Sequence, residues 1–394
     1  MQIVAVASAK LAKAWIQMPP PLYATDKAYI RPLDSDVAQV FSPAHNTRFA
    51  NGQAMRWLLQ AADGQYLGRI AAFFQNTELS PPNSAQLGAI RLGSIGFFEC
   101  INLGAAAGLL LAAAETWLAG HGANVVQGPV NFGERDKWWG LLINGFVPPT
   151  YGMAYNPPYY RTLWEQHGYQ DYFKQYTYYT QVQKPLSPIV IAKGKRLLQD
   201  PAYTFRHIER QEIDAFAQHF RTLYNRAWAS HTGVVELTQD NARDLVAELK
   251  QIMDHRMLWF GFYNGVPISF FVMLPDVNQI FKKLNGQFGW WQKLQLFYYL
   301  RTKSITGLVG VVYGVVPEQQ GKGVESAMVY AASMLLHNAQ KVHYRDFEMN
   351  WIGDFNPKMM KVAQLMGGTI LKTHVTYRKM LDTSIPFLRC AEIK

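Results

Sequence analysis

Apolar positions along the chain recur with two periods, and the switches between them mark out the elements. Period-two runs rich in Val, Ile, Tyr and Phe read as strands; spacings of three and four read as helices. In the first half, 55–62 and 66–74 flank Asp63-Gly64 and predict a hairpin, since Asp-Gly tolerates the positive φ of such a turn. Strands are predicted over 94–101 and 125–131, with a buried helix over 103–119 between them. An irregular stretch holding Trp138, Trp139 and Tyr151 follows. A helix over 159–167 opens behind Asn156-Pro157 and stops at Gly168, and a strand covers 172–182. Three prolines make 15–23 extended; 34–41 reads as a short connector and 77–85 as a polar, proline-containing loop.

Two prolines in 183–188 give the best boundary, so domains are predicted at 1–188 and 189–394. The second half then repeats the order of the first. A strand is expected over 203–208. Ile213, Phe216, Phe220 and Leu223 mark an amphipathic helix, and Thr238 caps another over 240–253. Asn264-Gly265 turns a second hairpin between 257–263 and 266–274. After the aromatic insertion 276–304 come a valine-rich strand over 308–316, a glycine turn and a helix over 324–338. A strand over 342–349, a helix from Asn356-Pro357 to Met366 and a strand over 373–380 close the chain. Matched hairpins and matched Asn-Pro helices in one order point to an internal duplication.

Composition narrows the function classes. The 394 residues include only Cys100 and Cys390, which gives no disulfide framework and no zinc spacing, and fits a reducing cytoplasm. The longest apolar run, 103–114, is too short to cross a bilayer, so a soluble cytoplasmic protein is expected. A net charge of +10 favours anionic partners, but no Lys/Arg block suggests specific nucleic-acid binding.

The stretch that organises the chain is the glycine turn. Val316-Pro317, then Gln320-Gly321-Lys322-Gly323-Val324 and Ser326-Ala327, closely resemble the coenzyme-A diphosphate loop of the GNAT superfamily of N-acyltransferases. A helix opening on such a turn offers free backbone N–H groups to a phosphate. Glu325 departs from the pattern, standing where a small residue is usual. The doubled order resembles tandem GNAT proteins, a plan that Fem-type aminoacyl transferases and protein N-myristoyltransferases share. A closer resemblance is to bacterial proteins of about this length labelled GNAT-like acetyltransferases. It is carried by Gly68-Arg69-Ile70-Ala71-Ala72, Gly96-Phe97-Phe98-Glu99, Gly128-Pro129-Val130-Asn131 and Tyr155-Asn156-Pro157-Pro158-Tyr159-Tyr160. In the second half Leu284-Asn285-Gly286 and Gly314-Val315-Val316-Pro317 carry it.

The resemblance implies an α/β fold of two GNAT-like domains, each a mixed central sheet flanked by helices, and acyl transfer from acetyl-CoA to an amine of a small molecule or peptide. It implies that Val315 and Val316 pair with the pantetheine arm. The amides from Gln320 through Gly321, Lys322, Gly323, Val324 and Glu325 to Ser326 would hold the diphosphate, with Asn356 near the coenzyme. The first half has Asn102-Leu103-Gly104-Ala105 at the matching place and no such cradle. Acyl transfer to an amine needs a proton acceptor. Glu348, followed by Asn350 and Trp351, is the first candidate, the alternative being a salt-bridged strand residue. The family's tyrosine acid falls at Ala363, so Tyr313 is the substitute candidate. Glu99 and Asn131 could bind the acceptor or cap the segments after them, and Trp351 completes the candidate acceptor site. Lys282, Lys283, Lys293, Arg301 and Lys303 interleave with the aromatics of 276–304, so this segment could lie on a membrane, cover a lipid-like acceptor or pack on its own domain. Two other readings stay open: a non-catalytic binding protein, which Glu325 and Ala363 favour, and a Fem-like aminoacyl transferase.

Overall fold

The computed structural model describes the chain except for residues 80–89, 134, 136, 229–236, 251, 339 and 394. The first half runs β1 (Gln2–Ala5), α1 (Ala9–Gln17), α2 (Asp34–Val40), the hairpin β2 (Gly52–Gln60) and β3 (Tyr66–Leu79), then β4 (Ile90–Cys100). It continues with α3 (Gly104–Gly120), β5 (Val125–Gly128), β6 (Leu141–Asn144), α4 (Tyr160–Gln166) and β7 (Gln170–Gln181). The second half opens with α5 (Pro188–Leu198), β8 (Tyr203–His207), α6 (Ile213–Trp228) and α7 (Gln239–Leu249). Its hairpin is β9 (Leu258–Tyr263) and β10 (Val266–Pro275), and α8 (Asn278–Phe281) and α9 (Trp290–Arg301) follow. The chain ends with β11 (Gly307–Val315), α10 (Val324–Leu336), β12 (Asp346–Gly353), α11 (Pro357–Leu365) and β13 (Thr369–Met380).

Local chemistry explains most boundaries. Asn264 and Gly265 adopt φ of 47° and 76°, the paired positive values of a tight hairpin turn. Thr238 accepts from the Asn241 amide and starts α7. The amino terminus corrects the expectation of an extended 15–23. Residues 15–17 are the last of a helix capped by Ser8, and Pro20–Tyr23 forms a 3-10 turn. Proline's fixed φ suits the first positions of a helical turn, where its missing N–H goes unused. The 34–41 connector is mostly the helix α2. Of the 77–85 loop, 77–79 belong to β3 and 80–85 lie outside the described residues.

All the strands join one mixed sheet in the order β1-β2-β3-β4-β5-β13-β7-β12-β11-β10-β9-β8, with β6 on β13. The two halves exchange their closing strands. β13, from the end of the chain, pairs with β5 of the first half, while β7 of the first half pairs with β12 of the second. Between them β7 and β13 pair along most of their lengths, so the middle of the sheet is built by both halves. Each half also holds one parallel pair, β4 with β5 and β11 with β12. A short strand–helix–strand crossover produces each pair.

Candidate functional site at the parted strands of the second half

The parallel ladder between β11 and β12 is short. Gly307 to Gly310 face Asp346 to Met349, and then the strands part. Beyond that point β11 stays with β10 as far as Val315, whereas Ile352 and Gly353 of β12 pair with β7. A bulge falls at the same place: Val272 faces Val312 and Met273 faces Gly310, leaving Val311 unmatched. A bulge re-aims backbone groups. Val311 is also the exposed residue of an otherwise largely buried strand.

At the open end, Pro317–Gln319 forms a 3-10 turn and Gly321 and Gly323 take φ of 74° and 97°. A Cβ on either glycine would meet nothing within 4 Å. The left-handed backbone, not crowding, therefore requires glycine here. Among the described residues no side chain caps α10 at Gly323, so the amides of its first turn face outward with the positive end of the helix dipole. Two side chains shape this mouth. Gln320 donates from Nε2 to the Val315 carbonyl at 3.0 Å, tying the turn to the strand end. The Glu325 carboxylate accepts from the Gly321 amide at 3.4 Å, a long bond that occupies one donor of the turn. Tyr313, on the same strand, is buried with a hydroxyl that has no partner among the described residues, and burial keeps its phenol protonated far above the ordinary range.

Glu348 lies in the middle of β12, because the strand runs to Gly353 rather than ending at Met349. Its carboxylate accepts from Lys372 at 2.6 Å, and that lysine of β13 is fully buried. Asp276, just past β10, joins them electrostatically. Burial pushes its carboxyl up to about 7, with the Glu348 charge adding to the rise. Alternate positions of the central strands continue this polar seam through Gln175, Thr177, His374 and Thr376, all buried. His374 donates from Nε2 to the Ala154 carbonyl at 2.9 Å, and burial drives its imidazole down to about 4. Asn350 Oδ1 and Gln175 Nε2 lack partners among the described residues. Buried polar atoms without partners are uncommon and mark a place that a ligand or water completes.

Two recesses open beside the seam, against the segment 138–156. One is lined by Trp138, Trp139, Asn350, Trp351 and His374; the other by Leu33, Tyr151, Asn278 and Phe281, with Trp138 shared. Trp351 donates to the Arg135 carbonyl at 3.0 Å, which holds its ring at the rim. Sequence reasoning missed Asp276, Lys372 and His374. The usable signal was weak: Lys372, His374 and Thr376 alternate along one strand, a pattern that ordinarily marks a solvated face.

The other anticipated residues lie apart from this site. Asn356 caps α11, its Oδ1 accepting from the Met359 amide at 3.1 Å. Asn131 is buried in the first half with its Oδ1 unpartnered among the described residues. Glu99 caps no helix. Its carboxylate accepts from the Tyr23 and Tyr160 hydroxyls at 2.7 and 2.9 Å and stands 3.7 Å from Arg69. Burial raises that carboxyl, while the guanidinium and the two phenols pull it back. In the first half the gap beside β4 is closed by the chain itself. Val130 donates to the Ile95 carbonyl at 2.8 Å, and a Cβ on Gly96 would lie 1.8 Å from the Val130 oxygen.

No family model matches the chain. It is 28% identical over 390 residues to the bacterial ceramide synthase of Caulobacter vibrioides (strain NA1000 / CB15N), covering 97% of this chain and 98% of that protein. It is 26% identical over 377 residues to protein YghO of Escherichia coli (strain K12), covering 94% and 93%. Among solved structures it is similar to a tandem GNAT protein from the clavulanic acid biosynthesis pathway, with a TM-score of 0.52 at 10% identity over 96% of this chain and 98% of that one. It is also similar to the GCN5-related glucosamine N-acetyltransferase region of a fungal multi-domain GH3 β-N-acetylglucosaminidase, with a TM-score of 0.53 at 10% identity, covering 96% of this chain and 38% of that longer one. At such identities these two structures speak to fold. The chain folds as two tandem GNAT-like halves around one mixed sheet.

Proposed function

We propose that the protein is an N-acyltransferase that moves an acyl group from coenzyme A to the primary amine of a long-chain amino alcohol. The observation that carries the reading is the conjunction in the second half: strands parting at a bulge, with a glycine turn and an uncapped helix start at the open end. The residues present fit the coenzyme. Amides from Gln320 to Ser326 would hold its diphosphate, and the edge of β11 from Val311 to Val315 would pair with its pantetheine arm. Bound acyl-CoA supplies the activated carbonyl.

The chain itself supplies orientation and a proton acceptor. Asp276, raised to about 7 beside the Glu348–Lys372 pair, is half ionised near neutrality, which suits a general base. Glu348, held by the buried ammonium, fixes the charge beside it. The Tyr313 hydroxyl, buried and protonated, is a donor in reserve. The acceptor class is drawn from the relative named a ceramide synthase, since a ceramide is a long-chain amino alcohol acylated on nitrogen. The second recess sets Leu33, Tyr151 and Phe281 beside the polar Arg31, Asp36 and Asn278.

The test is direct. Purified protein is incubated with acyl-CoA thioesters from acetyl to palmitoyl and with sphinganine or a water-soluble amine, and free thiol and amide are measured. Amide formed on sphinganine is expected, rising with pH through about 7 and losing that limb in Asp276→Asn. Absence of amide with every donor and amine overturns the reading. A second reading, a non-catalytic coenzyme or partner binder, draws on the Glu325–Gly321 contact. Tight coenzyme binding without turnover would select it.

A further inference from the structure

The helix α9 breaks the usual rule for a surface helix. Its inward side packs Leu296, with Tyr299 and Leu300 beside it, onto a cluster of Leu33, Ile280, Phe281 and Leu284. Its outward side is apolar as well. Trp290 is 72% exposed, Tyr298 63% and Phe297 60%, and Trp291 and Leu294 are exposed too. At about 100° per residue these five side chains fall within one arc of roughly 120°. Elsewhere the large exposed apolar side chains are scattered along the chain; here five occur within nine residues. Single exposed apolar residues are ordinary, but a contiguous patch with two tryptophans marks a contact surface.

The charges around the patch identify its partner. Lys282, Lys283, Lys293, Arg301 and Lys303 belong to 276–304, and the segment's one acid, Asp276, lies half-buried at the end of β10, outside α9. Arg301 stacks over Phe297, and Lys293 lies over Phe288, so the cations stand at the patch rather than across the molecule. Aromatic rings flanked by Lys and Arg match the boundary between headgroups and acyl chains of an anionic bilayer. Among the described residues no helix is long and apolar enough to cross a membrane, so the contact is one of surface insertion. We infer that α9 docks the protein on anionic lipid bilayers, its aromatic arc in the interface and its basic residues among the headgroups. The same apolar cluster beneath α9 lines the second recess through Leu33 and Phe281. That continuity sets the docking face beside the second recess, which bears on acyl transfer only under the acyl-transfer reading; the docking itself does not rest on it.

The test uses the full chain with no coenzyme or amine, so its outcome is separable from that of the activity assay. Vesicles of phosphatidylglycerol with phosphatidylcholine, and of phosphatidylcholine alone, are sedimented with the protein. Binding to the anionic vesicles is expected, about tenfold above the neutral ones and weakening with salt. Trp290→Ser/Phe297→Ser/Tyr298→Ser should lower it about tenfold, with unchanged circular dichroism. Trp290→Phe/Trp291→Phe should keep binding but lose quenching by brominated lipid. Wild-type protein that ignores anionic vesicles overturns the inference, as does a triple variant that binds as well as wild type. A wild-type dimer that the triple variant abolishes would assign the patch to a second copy of the chain instead.

Discussion

The two halves carry the same parallel strand pair and treat the gap beside it in opposite ways. In the first half the chain closes its own gap: Val130 bonds back to β4, Gly96 leaves no room beside it, and Glu99, Arg69, Tyr23 and Tyr160 form a buried cluster at the strand end. In the second half β12 parts from β11 while keeping its pairing with β7, Val311 bulges, and the glycine turn stands open. One architecture thus gives a sealed polar core on one side and an accessible backbone edge on the other. Duplicated folds need not duplicate sites, because the site depends on a few backbone donors that one extra contact can consume.

The sharpest way to break this comparison is to remove each half's carboxylate. Glu99→Ala leaves the Arg69 guanidinium buried without a carboxylate, holding its bond to the Trp15 carbonyl and its stacking over the Trp15 ring. Loss of a partner from a buried charge costs about 3–5 kcal/mol. The variant should therefore melt far earlier, while the folded fraction binds coenzyme as wild type does. Glu348→Gln also leaves a buried cation, Lys372, without its carboxylate and should lose comparable stability, but its folded fraction should lose acyl transfer as well. Denaturant unfolding beside coenzyme titration checks both, and a Glu99 variant that loses coenzyme affinity while folded would merge the two roles.

The seam between the halves gives the next effect. His374 is neutral in the folded chain, its imidazole driven down to about 4 by burial. A depressed folded value means stability that is present above the unfolded value and lost as pH falls toward 4. The span from the ordinary 6.5 amounts to at most about 3 kcal/mol. Urea unfolding at pH 7 and at pH 4.5 should show wild type losing more than His374→Gln does. Equal losses would remove His374 from the seam's acid sensitivity.

The smallest effect concerns Glu325. Its carboxylate occupies the Gly321 amide and places negative charge where a diphosphate would sit. Glu325→Gln should tighten coenzyme binding a few-fold, about 0.5–1 kcal/mol, most at low salt. Weaker binding in that variant would mean the carboxylate organises the turn rather than obstructing it.

Much of this was legible in the sequence, for local reasons. The valine run, the paired glycines and the Ala/Met/Leu helix after them each follow from nearest-neighbour chemistry, and the strand–turn–helix is present with both glycines left-handed. The hairpins at Asp63-Gly64 and Asn264-Gly265 were readable for the same reason. The exchange of β7 and β13 was not. Both strands mix Tyr and Thr with buried apolar residues, and either would satisfy the edge of either half, so only the three-dimensional packing selects the partner. The polar seam was hidden by that exchange. Lys372 and His374 alternate as a solvated face would, and are nonetheless buried, His374 against the Ala154 carbonyl of the segment 138–156. Asp276 reads as a loop residue until burial beside Glu348 gives it a role.

The central claim is that one half holds the coenzyme through a left-handed glycine turn and the other does not. Calorimetric titration of the full chain with coenzyme A tests it, with Gly323→Val beside Gly104→Ala, the latter at the matching helix start where a Cβ has room. The account predicts one coenzyme per chain, unchanged affinity in Gly104→Ala, and about a hundredfold loss in Gly323→Val, since a β-branched residue resists that backbone. Two coenzymes per chain, or undiminished affinity in Gly323→Val, would contradict it.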